Sequence, residues 1–381
     1  MCIRVSHYAC HADLSPLAPG RHRVRLDLDE GGLRCEAWIS VAAPRPVPVL
    51  HLTDLFHPHD DPDDHIDLAC LFGMRDIDLR GVVFDDGLRQ KRSPGLAALE
   101  QLAAITGRRV AAAIGLGSAL KSPRDTGADQ GAEFQGGVEL ILRTLRESSV
   151  PVTVTVVGSM RDIAAAWNRD PALCAAKIER LYIFIGDAHS APGFGFREHN
   201  ATLDPQAYAA IMRSGLPIFW VPCFDGGAWR NSGRASFWRA SHRDLFAGVA
   251  DPVKQYFIYA LLKKTGDPLA FLGQPVDAVQ WETVLSGTRN LWCAGVFAHI
   301  ADRAFVREGG AWRSVPAAAG TASAAPFAFE PVRVNLDATG MALYPRELPY
   351  YDVQRFLIVD REAYDRALTA VTAAMLAGLG V

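Results

Sequence analysis

The chain has 381 residues, 49% of them apolar, and a formal net charge of -3. An apolar share of that size excludes a disordered chain, and the length allows two average domains or one large α/β domain with additions. The weak charge, with no strong clustering of basic residues, argues against a surface that tracks nucleic-acid phosphates, and no run nears the roughly 18 apolar residues of a membrane span.

Residues 1–45 read as a small N-terminal β element. Met1 to Asp13 lack a basic segment followed by an apolar core, so no secretory leader is expected there. Cys2, His7, Cys10 and His11 are metal-ligand types but show no recognised zinc spacing. His22 to Leu28 alternates apolar and polar residues, Glu30-Gly31-Gly32 supplies a turn, and Leu33 to Val41 alternates again, which predicts a hairpin. The seven cysteines (Cys2, Cys10, Cys35, Cys70, Cys174, Cys223, Cys293) are scattered and include no CxxC pair, a pattern of reduced thiols and a cytoplasmic location. Ala42 to Pro48, with three prolines, reads as a linker into the first main strand.

Residues 46–381 then repeat one theme: an apolar run ending in small or acidic residues, followed by a segment of helical spacing. The runs are Val47–Asp54, Leu79–Asp86, Val110–Gly115, Val152–Ser159, Leu181–Asp187 and Ile218–Asp225. Ser93–Thr106 and Gly136–Glu147 carry helical periodicity between them, and Asp204-Pro205 opens a helix that Gly215 ends. The fold class expected is therefore α/β, an open, mostly parallel sheet flanked by helices. From Gln274 onward the pattern reads as strand-rich, with Val332–Leu336 and Val353–Val359 as strands, Ala317–Pro326 as a low-complexity linker and Arg361–Leu376 as a closing helix.

Four of these strands end in acid, at Asp54, Asp85/Asp86, Asp187 and Asp225, which a parallel sheet puts on one rim. Asp225 precedes Gly226-Gly227 and reads as a turn residue. The densest acidic stretch lies between strand and helix, Asp54 to Asp64, with Asp60, Asp61, Asp63 and Asp64 in a loop broken by two prolines. Such carboxylates repel one another unless a hard cation of the Ca²⁺ or Mg²⁺ kind holds them. The same residues also suit a solvated loop that caps a helix. Downstream, Trp229 and Trp238 stand in a Gly/Ser/Arg-rich stretch as candidates to stack a flat ligand, whereas Phe246, Tyr256, Phe257 and Tyr259 read as core.

Four segments, in order, resemble the nucleoside hydrolase family of the inosine-uridine-preferring type. They are Asp54 with Asp63-Asp64-His65-Ile66-Asp67-Leu68-Ala69, then Val156-Val157-Gly158-Ser159-Met160-Arg161-Asp162-Ile163-Ala164, then Glu198-His199-Asn200 through Asp204-Pro205, and Gly266-Asp267-Pro268. The resemblance covers about residues 47 to 370. It implies a homo-oligomeric, Ca²⁺-dependent enzyme that hydrolyses the N-glycosidic bond of a ribonucleoside. It also implies that Asp54, Asp64 and Asp267 ligate the cation with the carbonyl of Val157. Asp54 would double as general base, Asp63 and Asn200 would hold the ribose hydroxyls, and Glu198 would bind the 5′ side. His199, Asp86 and Trp229 complete the expected substrate-binding set.

The departures from the family pattern concern the chemistry. Phe56 to Pro62 lengthens the loop between the first Asp and the Asp pair, which leaves Asp54 and Asp61 both open for the first role. Asp85/Asp86 stand where the family has Asn after the second strand, and no Asn matches around Ala191-Pro192-Gly193. Gly266 replaces the His that protonates the leaving base, so His189, His199 and His242 are the alternative donors. Two other readings fit the same residues: a Mg²⁺-dependent phosphohydrolase, which lacks a phosphate loop here, and a nucleoside- or sugar-binding relative with altered or lost chemistry.

Overall fold

Proline at 62 and apolar runs on both sides of it set up the chain's first strand-to-helix unit, and the rest of the domain repeats that unit. The computed structural model describes strand segments 2–5, 8–11, 20–27 and 34–41, and residues 45–189, 195–317, 324–347 and 349–380. Strands β1 (Cys2–Val5) and β2 (Tyr8–His11) pair antiparallel, as do β3 (Gly20–Asp27) and β4 (Arg34–Val41). The Glu30-Gly31-Gly32 turn and His7 lie outside the described residues, as does Ala191-Pro192-Gly193.

β5 (Val47–Thr53) leads into α1 (Asp63–Gly73), β6 (Ile77–Phe84), α2 (Gly87–Gln90), α3 (Leu96–Thr106) and β7 (Ala111–Ile114). α4 (Gly136–Glu147), β8 (Val152–Val156), α5 (Arg161–Arg169), α6 (Pro171–Lys177) and β9 (Ile178–Phe184) follow. Then come α7 (His199–Leu203), α8 (Pro205–Met212) and β10 (Ile218–Val221). Each predicted apolar run overlaps one of these strands. The starts of α6 and α8 have a common cause: the Asp170 and Asp204 carboxylates accept N–H groups of the first turn, and proline takes the position whose N–H would be idle.

The central sheet has the order β7-β6-β5-β8-β9-β10. Every pairing among these six strands is parallel. The chain moves outward from β5 through β6 to β7, then returns to the other side of β5 with β8. Strand order therefore reverses between β5 and β8, the point where an open α/β sheet leaves a crevice at its carboxyl edge. Both faces are covered. Val49 packs with Ile66, Leu71 and Leu376 on one side, and Leu50 and Leu52 pack with Val138, Ile141 and Ile163 on the other. Each such side chain adds roughly 1.5–3 kcal/mol by leaving water.

The C-terminal third is strand-rich after Gln274, as expected, with the helices Ala278–Leu285 and Phe297–Ile300 set among its strands. β11 (Trp238–Ser241), α9 (His242–Leu245), α10 (Asp251–Leu261), α11 (Pro268–Leu272) and α12 (Ala278–Leu285) come first. α12 falls inside the stretch read as strand-rich; the Asp277 carboxylate caps it by accepting the N–H groups of Val279 and Gln280. β12 (Thr288–Leu291) pairs with β11, followed by α13 (Phe297–Ile300) and the β13 (Arg303–Glu308)–β14 (Ala311–Pro316) hairpin. β15 (Phe327–Leu336), β16 (Ala342–Leu343) and β17 (Tyr351–Ile358) finish the sheet, β17 parallel to β10 and β15 antiparallel to β17. α14 (Tyr364–Ala377) closes the chain against α1.

Trp238 is a correction. It is 1% exposed, on β11 in the core, and is no stacking platform. Its strand alternates, and position 238 falls on the inner face.

Candidate active site

Asp54 follows β5 and Val157 follows β8, so the strand-order reversal places them side by side. A cavity of about 550 Å³ opens there. Its acidic side is lined by Asp54, Asp60, Asp61, Asp63 and Asp64. Val157, Glu198, His199 and Asn200 line it as well, and Phe56, Phe184, Phe196, Phe224, Trp229 and Trp292 supply its apolar surface.

Asp63 and Asp64 belong to the first turn of α1, where the helix dipole favours negative charge. Thr53 Oγ1 donates to Asp64 Oδ1 at 2.7 Å, tying the helix start to the end of β5. Burial comes first among the causes that push the Asp54 carboxyl up to about 7, with the neighbouring Asp85 next. Burial and the surrounding carboxylates also hold Asp63 and Asp64 well above the usual range. Nearby arginines are engaged with the other acids: Arg89 pairs with Asp60, and Arg289 Nη1 lies 2.9 Å from Asp61 Oδ1. Among the described residues no ion pair reaches Asp54, Asp63 or Asp64.

Close packing between strands positions the acids. A Cβ on Gly158 would stand 2.8 Å from Asp85 Oδ2 and 3.0 Å from the Asp54 Cβ, so only glycine lets the end of β8 pass between them. Asp85 accepts hydrogen bonds from Ser159 N at 2.6 Å and Ser159 Oγ at 2.9 Å, which joins the ends of β6 and β8. Asp86 is half-buried with a φ of 54°, and lies 3.7 Å from Arg161 Nη1 instead of lining the cavity. The lengthened loop is pinned from several sides. Gln90 Nε2 donates to the Leu55 carbonyl, His57 Nε2 meets the Lys264 carbonyl at 2.6 Å, and His65 Nε2 meets that of Phe56 at 3.1 Å. Burial lowers the His65 imidazole to about 3, so it is neutral.

Glu198 caps α7. Its Oε2 accepts the N–H of Gly186 and Ala201, and its Oε1 that of Asn200. Asn200 Nδ2 donates to the carbonyls of Val157 at 3.1 Å and Phe184 at 3.2 Å, which orients its amide across two strand ends.

Several expected residues stand elsewhere. Asp267 is exposed, does not line the cavity, and uses its carboxylate to cap α11 through the N–H groups of Leu269 and Ala270. Gly266 precedes it outside the cavity with a φ of 101°. Asp187 is taken up by the N–H groups of His189, Gly226 and Gly227, and Asp225 by that of Arg234. His242 is buried against Phe246 with Nδ1 on the Val284 carbonyl. Among the described residues no group of three or more His, Cys, Asp or Glu side chains closes into a metal centre.

Sequence reading missed Arg89, Phe224 and Trp292. Arg89 has a signal, because it sits one turn past the end of β6. Trp292 has none, since it reaches the cavity only through the pairing of β12 with β11 and a bond from its Nε1 to the Cys223 carbonyl at 3.1 Å. A second large cavity, about 580 Å³, lies beside the C-terminal end of α1, where Arg108 donates to the carbonyls of Leu71, Phe72, Met74 and Ile77. Asp78 is its one carboxylate, and it brings no catalytic set together.

A profile of the family described as inosine-uridine preferring nucleoside hydrolase matches residues 60–261. The chain belongs to that family. A pyrimidine-specific ribonucleoside hydrolase of Salmonella paratyphi A is 38% identical over 81 residues. That match spans 21% of this chain and 26% of the relative. A pyrimidine-specific ribonucleoside hydrolase of Escherichia coli O139:H28 is 36% identical over the same length. The fold agrees with the inosine-uridine preferring nucleoside hydrolase of Bacillus anthracis, at TM-score 0.51 and 16% identity over 86% of this chain and 99% of that one. It also agrees with a plant nucleoside hydrolase, at TM-score 0.54 and 14% identity over the same shares. Among the described residues of this nucleoside hydrolase family member, no helix is long and apolar enough to cross a membrane.

Proposed function

We propose that this chain hydrolyses the N-glycosidic bond of a ribonucleoside or related riboside, giving ribose and free base, with a bound divalent cation. The observation that carries the reading is the convergence of Asp54, Asp63 and Asp64 on one cavity at the strand-order reversal. Family membership supports the reaction class.

The donor set fits a hard cation. Three carboxylates crowded at one cavity without ion pairs keep their protons or share a divalent ion, and the oxygen donors match Ca²⁺. Asp54, Asp64 and the Val157 carbonyl would hold it. Asp267, expected as a further ligand, caps α11 away from the cavity, so Asp63 is the nearer candidate for that place. When bound, such an ion supplies open positions for a water and two vicinal hydroxyls and lowers the pKa of that water.

The chain's own residues do the rest. Asp54 takes the proton of the attacking water; it has this role ahead of Asp61, which is exposed and paired with Arg289. Asp63 and the amide of Asn200 hold the ribose hydroxyls. Glu198, whose oxygens already accept three backbone N–H groups, shapes the 5′ side as a fixed polar wall. The charge that develops is an oxocarbenium-like sugar, which a carboxylate-rich cavity stabilises. Trp229 and its aromatic neighbours stack the leaving base.

The enzyme is proposed to act as a homo-oligomer, which light scattering on the purified chain checks. The buried free thiols of Cys70, Cys174, Cys223 and Cys293 suit a reducing, cytoplasmic setting. The functional test is release of base and reducing sugar from a nucleoside panel, with and without chelator. Retained cation and nucleoside binding with no base release would move the reading to a binding protein.

A further inference from the structure

The identity of the base is set by the aromatic side of the cavity, and this inference rests on the hydrolase reading above. Phe224, Trp229 and Trp292 form that side, with ring centroids 5.4 Å apart for Phe224–Trp229 and 6.0 Å for Trp229–Trp292. The Trp292 indole N–H is already donated to the Cys223 carbonyl, so this ring offers a π-face and no free proton. The position where the family resemblance expects a proton-donating histidine is Gly266, outside the cavity.

The charge of the cavity points the same way. Six carboxylates (Asp54, Asp60, Asp61, Asp63, Asp64, Glu198) line it against two guanidiniums, Arg89 and Arg197. Arg89 is spent on Asp60, and Arg197 lies 4.0 Å from Asp337 outside the cavity lining. Arg289 offsets Asp61. Among the described residues that leaves Asp54, Asp63, Asp64 and Glu198 with no guanidinium paired to them. Aromatic faces in a net negative field select a cation.

We propose that the preferred substrate is a ribonucleoside whose base is cationic before the bond breaks, an N-ribosylated azinium. The C1′–N bond breaks heterolytically, and its electron pair neutralises the ring nitrogen. The positive charge passes to the sugar as an oxocarbenium. Water adds at C1′ and yields its proton to a cavity carboxylate. The products are a neutral azine, ribose and one proton, and the leaving group needs no acid. The positive charge is present from ground state to transition state, so the same field holds it throughout.

The test uses the full chain in Ca²⁺ buffer with N-ribosylpyridinium, inosine and uridine, reading reducing sugar and free base. The expected result is a kcat/KM for N-ribosylpyridinium roughly tenfold or more above both neutral nucleosides. Trp229 is 59% exposed, so Trp229→Leu leaves the core alone, and thermal melting confirms it. That variant is expected to lower kcat/KM for the cationic substrate by about tenfold, with a smaller effect on uridine, while Trp229→Phe keeps most of it. Faster cleavage of inosine or uridine, or an equal loss for all three substrates in Trp229→Leu, overturns this inference and leaves the hydrolase reading standing. No sugar from any of the three overturns both.

Discussion

Removing divalent cations should make the stability of this fold fall as pH rises, and adding them back should flatten that fall. The Asp54 carboxyl is raised from 3.8 to about 7, and Asp63 and Asp64 are raised with it. A carboxyl raised in the folded state keeps a proton that the unfolded chain has lost. Its contribution is complete below about pH 4, declines as pH climbs toward 7, and is flat above. For Asp54 the gap of about 3 units corresponds to ~4 kcal/mol for a carboxyl fully out of water. Asp54 is half-buried and opens onto the cavity, so solvent screening reduces this to about 2 kcal/mol. Asp63 and Asp64 are raised with it by burial and by one another's charge, so they act in the same direction. At roughly 1–2 °C per kcal/mol for a chain this long, Asp54 alone should lower the melting temperature in chelator by about 2–4 °C between pH 4.5 and 7.5, with Asp63 and Asp64 adding to the fall. In millimolar Ca²⁺ the ion replaces the protons and most of that drop disappears. Asp162 is also raised to about 7 and does not line the cavity, so it tilts both curves alike, and the informative quantity is the difference. Differential scanning fluorimetry across pH, with EDTA and with CaCl₂, measures it. Parallel curves would refute the claim that these carboxylates share a cation.

Activity and stability should separate at the same residues. Asp54→Ala and Asp64→Ala should each lower kcat by roughly 10³-fold, while Asp54→Asn should melt higher than the parent in EDTA at pH 7.5 because an uncompensated carboxylate is gone; losses under about tenfold in both alanine variants, by steady-state sugar release, would remove these residues from the mechanism. Gly158→Ala drives a Cβ against Asp85 and Asp54 and should destabilise by about 1–3 kcal/mol in urea melts, with a larger fractional loss of Ca²⁺ affinity by calorimetry. Arg289→Ala breaks a partly exposed pair with Asp61, so stability should change by no more than about 1 kcal/mol, while KM rises as the acidic loop loosens. An unchanged KM there would show that this pair does not position the loop.

Much of the architecture was legible because parallel strands buried on both faces must be continuous apolar runs. The runs Val47–Asp54, Val152–Ser159 and Leu181–Asp187 read directly as such and overlap the strands Val47–Thr53, Val152–Val156 and Ile178–Phe184, and Asp204-Pro205 announces its helix by a local rule. The stretch holding α12 was misread because its cap, Asp277, and its short apolar pattern carry little signal against a strand-rich background. Local chemistry also brought out Asp54, Asp63 and Asp64, which follow a strand or open a helix on the carboxyl rim, whereas Glu198 and Asn200 came from the resemblance to the family.

Tertiary structure decided the remainder. The return of β8 beside β5 makes neighbours of Asp54 and Val157, and no spacing in the chain encodes that. It gave Trp292 to the cavity and Trp238 to the core, though both are tryptophans on or beside short paired strands. It also turned the Asp267 carboxylate to its own helix, where two backbone N–H groups offer a nearer partner than the cavity does. Sequence sets which residues sit at element ends, through propensities that act over a few residues; which ends meet is set by the order in which the strands pack, which only the whole fold contains.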